Sequence, residues 1–189
     1  FEARGEVNLR GAKIDGQLDC TGGKFLAEGI ALECNAITVG ADVFLSDGFA
    51  AQGEVNLARA RIGGGLICNG GKFVAEGIAL NCEAISVGAD VLLSGEFEAR
   101  GGIGLNWAMI AGNLVLTSAN LTTGLVAQGM RVRAGFFWGN VKGDGITVDL
   151  RDAYVGTLYD GPGSWQSVKK LRLSSFRYDR IESDMDVQE

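Results

Sequence analysis

The sequence contains no histidine. Its absence removes the commonest metal ligand and the base of Ser-His-Asp and Cys-His catalytic arrangements. A single proline, Pro162, occurs in 189 residues, and no apolar run reaches 18, so no membrane-spanning helix is encoded. The four cysteines form no C-x-x-C pair, which leaves neither a zinc pair nor a thioredoxin-like centre. The glycine run Gly63-Gly64-Gly65 is not followed by G-K-[ST] and is no phosphate loop. Lys and Arg number 17 against 23 Asp and Glu, giving a net charge of −6. That balance argues against nucleic acid bound by a basic surface and permits a cationic partner.

What is present is a repeat. Residues 1–48 return as 49–96 with 32 of 48 positions identical, and a third copy opens at Phe97 with 10 of its first 20 residues retained. FEARGEVNLRGAKI becomes FAAQGEVNLARARI, and GIALECNAITVGADVFL becomes GIALNCEAISVGADVLL. Phe1, Phe25, Phe49, Phe73 and Phe97 are spaced by 24, which halves the period into two related coils of about 24 residues. Within each coil apolar residues come in pairs two apart, such as Val7 with Leu9 and Val43 with Leu45. That alternation is the pattern of short strands with one face buried. Thirty glycines suit a chain that turns a corner every few residues.

The reading is an all-β, right-handed, single-stranded parallel β-helix of six to seven coils over residues 1–165. Residues 166–189 follow as a C-terminal cap and a frayed acidic tail. Three ladders are expected to point inward: Leu9, Cys34, Leu57, Cys82, Leu105; Cys20, Leu45, Cys68, Leu93, Leu116; and Ile14, Val39, Ile62, Val87, Ile110. The phenylalanine rung is expected to stack half-buried at a turn. Equivalent cysteines lie two rungs apart, about 9.6 Å. A disulfide needs Cα atoms within about 7 Å, so free thiols are expected. The same two-rung spacing separates the repeated carboxylates Asp42 and Asp90, and Glu28 and Glu76. It lies at the far limit for an inverting glycosidase pair, and repetition alone accounts for it.

Near the end the pattern changes. Of Phe136 and Phe137, one is expected inward, and Trp138 outward or at a corner. Asp160-Gly161-Pro162-Gly163 reads as a turn. The segment QSVKKLRLSSFRYDR, residues 166–180, reads as a strand laid over the last coil with Phe176 and Tyr178 plugging its end. Phe136, Phe137, Trp138, Lys169, Lys170 and Arg172 form a possible interaction patch. The chain opens in mid-motif, which reads as a fragment whose earlier coils or N-terminal cap lie outside it.

The motifs G-x-V-x-L-x-x-A-x-I-x-G-x-L-x-C at Gly5 to Cys20, V-G-x-D-V-x-L at Val39 to Leu45, and S-W…L-R-L-x-x-F-x-Y from Ser164 to Tyr178 resemble a family of bacterial proteins commonly labelled "membrane-associated oxidoreductase". The resemblance implies a β-helix, with a helical region following. A more distant, architectural similarity is to pentapeptide-repeat proteins and bactofilins. No G-x-G-x-x-G stands between strand and helix, and no redox cysteine pair accompanies the label. The expected function is therefore a non-enzymatic structural or protein-interaction scaffold of unknown partner, without cofactor, cytoplasmic or membrane-associated through missing regions. The alternatives are an acidic DNA-mimicking topoisomerase inhibitor and a self-assembling bactofilin-like filament. A homo-oligomer would form by end-to-end or face contacts.

Overall fold

The computed structural model describes residues 1–161 and 163–182. The chain winds as a parallel β-solenoid of about 8 turns with about 23 residues per coil. Successive coils are marked by Ile14, Val39, Ile62, Val87, Ile110, Val132, Val155 and Tyr178, each paired in parallel with the next. No helix occurs among the described residues, so none is long and apolar enough to cross a membrane. The expected six to seven coils become eight because residues 166–182 wind as a further turn. Strand Val168–Arg172 pairs with Ile146–Asp149, and Arg177–Glu182 pairs with Tyr154–Asp160. That turn lacks the repeat's residues, which hides it in the sequence. Phe176 is half-buried there, whereas Tyr178 is 47% exposed and plugs nothing. Of the expected acidic tail, Ile181 and Glu182 are strand. Residues 183–189 lie outside the described residues, as does Pro162 of the expected turn.

All three inward ladders are in register. From Cys34, Leu45 and Val39 onward their members are buried, and Leu9, Cys20 and Ile14 of the first coil are half-buried. The four cysteines are free. Burial pushes the Cys20 thiol up to about 11 and those of Cys34 and Cys82 up to about 12. These sulfurs therefore stay protonated and pack as small hydrophobes.

The phenylalanine rung is not half-buried. Phe25, Phe49, Phe73 and Phe97 are at most 2% exposed, with ring centroids 5.1–5.4 Å apart. Only Phe1, in the first coil, stands open. Their spacing of 24 is not the strand register. Phe25 pairs with Ala3 and Ala51, and Phe73 with Ala51 and Ala99. Phe49 and Phe97 enter the same column from the turn just before the strand. Each layer therefore receives one ring, from two alternating backbone positions, and each strand phenylalanine lies over an alanine. Large over small fills the layers to the density of a protein interior.

The consequence is an alternating coil length on this side of the solenoid. Ala3 to Phe25 is 22 residues and Phe25 to Ala51 is 26, and the next pair of coils repeats this. The longer coils carry the ten-residue strands Lys24–Glu33 and Lys72–Asn81, whereas the strands Ala50–Asn56 and Glu98–Gly104 have seven.

Candidate interaction surfaces

The surplus residues of the long strands have to leave the ladder, because the interior is already full. Pairing runs from Leu26 opposite Gln52 to Ile30 opposite Glu54, so Ala27-Glu28-Gly29 faces the single residue Gly53 and bulges outward. Ala75-Glu76-Gly77 does the same two coils on. The short strands close beneath the bulges through Gly53 and Gly101, at φ of +118° and +131°. A Cβ on Gly53 would meet Ala27 O at 2.6 Å, and one on Gly101 would meet Ala75 O at 2.7 Å. Ridges and floors thus alternate with a period of two coils, about 9.6 Å. They enclose a groove of about 920 Å³ whose lining includes Glu28, Glu54, Glu76, Ile30, Val74 and Ile78. Ile78 is 44% exposed. Arg100 also reaches this groove, but its Nε is held by Glu98 at 2.6 Å.

A second surface lies past the next corner. There the chain adopts a left-handed residue in most coils: Ala36, Arg59, Ala84, Trp107, Asp152 and Ser175, with φ between 53° and 59°. Each turn is closed by an N–H donated back three residues, as from Ala108 to Leu105 O at 3.1 Å. A bulky side chain in this backbone region costs of order 1–3 kcal/mol. Trp107 nevertheless occupies it, 58% exposed, and its six-membered ring edge lies over Gly129, where a Cβ would come within 2.3 Å. Two residues on, Met109 is 59% exposed and pairs with Ser86 and Arg131 in the outward column Arg61, Ser86, Met109, Arg131, Tyr154, Arg177. Arg59, Arg61, Arg131 and Arg133 are exposed around these two apolar side chains, with Glu83 and Asp152 as the acids on the same corner. The Tyr154 hydroxyl donates to Asp179 at 2.6 Å.

A third surface is an outward column on the remaining side: Phe44, Ile67, Leu92, Val115, Phe137 and Tyr159, all half-buried and in continuous register. Phe137 stacks on Tyr159 with centroids 4.0 Å apart.

The patch expected from the sequence is not assembled. Phe136 is fully buried, as expected of one of the pair, and strand alternation carries Trp138 inward with it, not outward. Trp138 stacks on Trp165 at 5.1 Å and its Nε1 donates to Ser164 O at 2.9 Å. Phe137 belongs to the third surface. Lys169 and Lys170 are exposed on the eighth coil. Arg172 donates to Asp149 Oδ2 at 3.0 Å.

Asp149 is 2% exposed and also receives Arg151 through Nε and Nη2. Its carboxyl sits at about 2 because the Arg151 hydrogen bonds, and then that of Arg172, favour the charged form against burial. A depressed carboxyl stabilises the fold above its unfolded value near 4 and loses that contribution as pH falls toward 2. Asp149→Asn is accordingly expected to cost on the order of 2 kcal/mol at pH 6. The difference from the native protein should close between pH 4 and 2 in a urea-unfolding series. A difference constant with pH would contradict the assignment.

The repeated carboxylates Asp42 and Asp90 are committed to structure: Oδ1 of each accepts a backbone N–H of the following coil, from Gly65 and Asn113, at 2.7 Å. Among the described residues no group of three or more Cys, Asp or Glu is placed to hold a metal ion. Sequence reasoning passed over Trp107 and Met109. The signal was there: the first two copies of the repeat have Gly11 and Arg59, then Lys13 and Arg61, where the third has Trp107 and Met109. A repeat that abandons its consensus at outward positions marks the place where packing does not dictate the residue. No family model, curated protein or solved structure matches the chain.

Proposed function

We propose that this protein is a non-enzymatic interaction scaffold, a rigid rod that engages a protein partner through the corner surface centred on Trp107. The observation carrying this reading is Trp107 itself: a large aromatic in a costly left-handed conformation, more than half exposed, beside an equally exposed Met109. Solenoids present side chains at fixed intervals on extended faces. Tryptophan, methionine and arginine are the residue types concentrated at protein interfaces. The regular ladders account for the rod, and they require neither residue.

The test is comparative capture from a host extract by the native protein and by Trp107→Ala/Met109→Ala. Both side chains point outward, so the variant is expected to unfold at the native temperature within a few degrees. It is expected to lose its captured partner at least tenfold, the scale of a hot-spot truncation of about 1.4 kcal/mol or more. An identical captured set from both proteins would overturn the reading.

A further inference from the structure

We propose that a second copy of this chain docks on the Trp107 surface, presenting its bulge groove. The proposal names the partner of the surface just described and rests on that reading. Two faces of one molecule are complementary in charge and in apolar content. The groove carries Glu28 and Glu76 exposed on its ridges and Glu54 between them, around the exposed aliphatic side chains Val74 and Ile78. Among the described residues the cation in its lining is Arg100, which is paired within its own strand with Glu98. Lys24 and Lys72 open the same strands as the bulges but lie outside the groove lining. The corner surface has the opposite excess: Arg59, Arg61, Arg131 and Arg133 around Trp107 and Met109, against the two acids Glu83 and Asp152, with a shallow depression of about 390 Å³ beside Met109. Opposite charges rim an apolar centre on both faces, the arrangement of a polar rim around a hydrophobic core.

The two faces also share a ruler. Outward positions recur every coil, about 4.8 Å, and the ridges every second coil, about 9.6 Å. Arg61, Met109 and their successors stand in a column built on the same rise as the ridges they would face, so several contacts can be made at one relative height. Because the faces differ, the contact is heterologous. After pairing, one copy keeps its Trp107 corner free and the other its groove, so association continues into a chain or closes into a ring.

Sedimentation of the purified protein at about 0.05 M salt should show a weight-average mass rising with concentration from 19.8 kDa to at least twice that value. The rise should weaken several-fold at about 0.5 M salt, where exposed charges are screened. Trp107→Ala/Arg131→Glu destroys one face, and Glu28→Lys/Glu76→Lys the other. Each variant alone should stay at 19.8 kDa, and an equimolar mixture should form a one-to-one heterodimer and stop there, since only one matching pair of intact faces remains. Circular dichroism confirms that both are folded, and Glu28→Gln/Glu76→Gln serves as a milder groove variant with the same expected loss. A native protein that stays monomeric at millimolar concentration, or a mixture of folded variants that does not pair, overturns the proposal. If the native protein is monomeric while Trp107→Ala/Met109→Ala still loses its host partner, the scaffold reading stands and the self-docking falls.

Discussion

Phe73→Ala is expected to lower the unfolding free energy by about 3–5 kcal/mol, the range for removing a fully buried aromatic side chain. Phe73 is 0% exposed, and its ring lies 5.1 Å from that of Phe49 and 5.2 Å from that of Phe97. The layers above and below cannot sink into the vacated space. Ala51 and Ala99, its strand partners, are held at the rung spacing by backbone hydrogen bonds and bring no volume of their own. The cavity therefore stays open, which places the cost toward the top of the range. Phe1→Ala is the internal control: the same residue type in the same rung, 81% exposed, should cost less than 1 kcal/mol. Chemical denaturation of both variants measures the contrast. Equal losses would mean that the rung is not the continuous buried stack described above. In a solenoid each coil leans only on its neighbours, so the Phe73→Ala transition is also expected to broaden as the two halves of the rod begin to unfold separately.

Gly101→Ala is expected to be comparably damaging, by about 2–6 kcal/mol, although it adds one methyl group. Two effects combine. At φ +131° the backbone is in a region that L-residues adopt at a cost of 1–3 kcal/mol. The new Cβ would also stand 2.7 Å from Ala75 O and 2.9 Å from both Gly77 O and the Ala79 Cβ, and overpacking of that kind costs a further 1–3 kcal/mol. The obstruction is backbone, so no rotamer change relieves it. What must yield is the Ala75–Ala79 bulge, and with it the ridge that carries Glu76. Gly101→Ala should consequently lower the melting temperature and weaken pairing through the groove in one step. A substitution at Gly77, on the exposed tip of the same bulge, meets nothing within 4 Å and should leave the stability unchanged within about 0.5 kcal/mol. If Gly101→Ala unfolds at the native temperature, the close approach between floor and bulge is wrong.

The architecture was legible because repetition is a global signal. A 48-residue copy with alternating apolar pairs admits few structures other than stacked coils, and the Ile14 ladder fell into register without adjustment. The misreadings have separate causes. Phe25 and Phe49 look equivalent by spacing and are not: one sits in a strand and the other in the turn before it, yet both rings reach the same column. Trp138 is expected outward or at a corner, whereas its distance of two from Phe136, the phenylalanine that is buried, puts it on the inner face. Of the eighth coil the sequence shows one strand, Val168–Arg172, over the coil before it; the second, Arg177–Glu182, is hidden because other residues replace the repeat while the backbone keeps its winding.

By itself the sequence determined that the chain stacks in parallel coils, that its aliphatic ladders and thiols face inward, and that two coils together take 48 residues. Only the tertiary structure decided how that length is divided. The repeat constrains the sum of two coils, but the split of 22 and 26 on one side is set where ladder hydrogen bonds can close over a core already filled by one aromatic ring per layer. The residues left over are expelled as bulges, and the bulges make the groove. Which outward residues share a face follows from the same register: Trp107 stands among arginines fixed by coils before and after it, a neighbourhood that spacing along the chain does not contain.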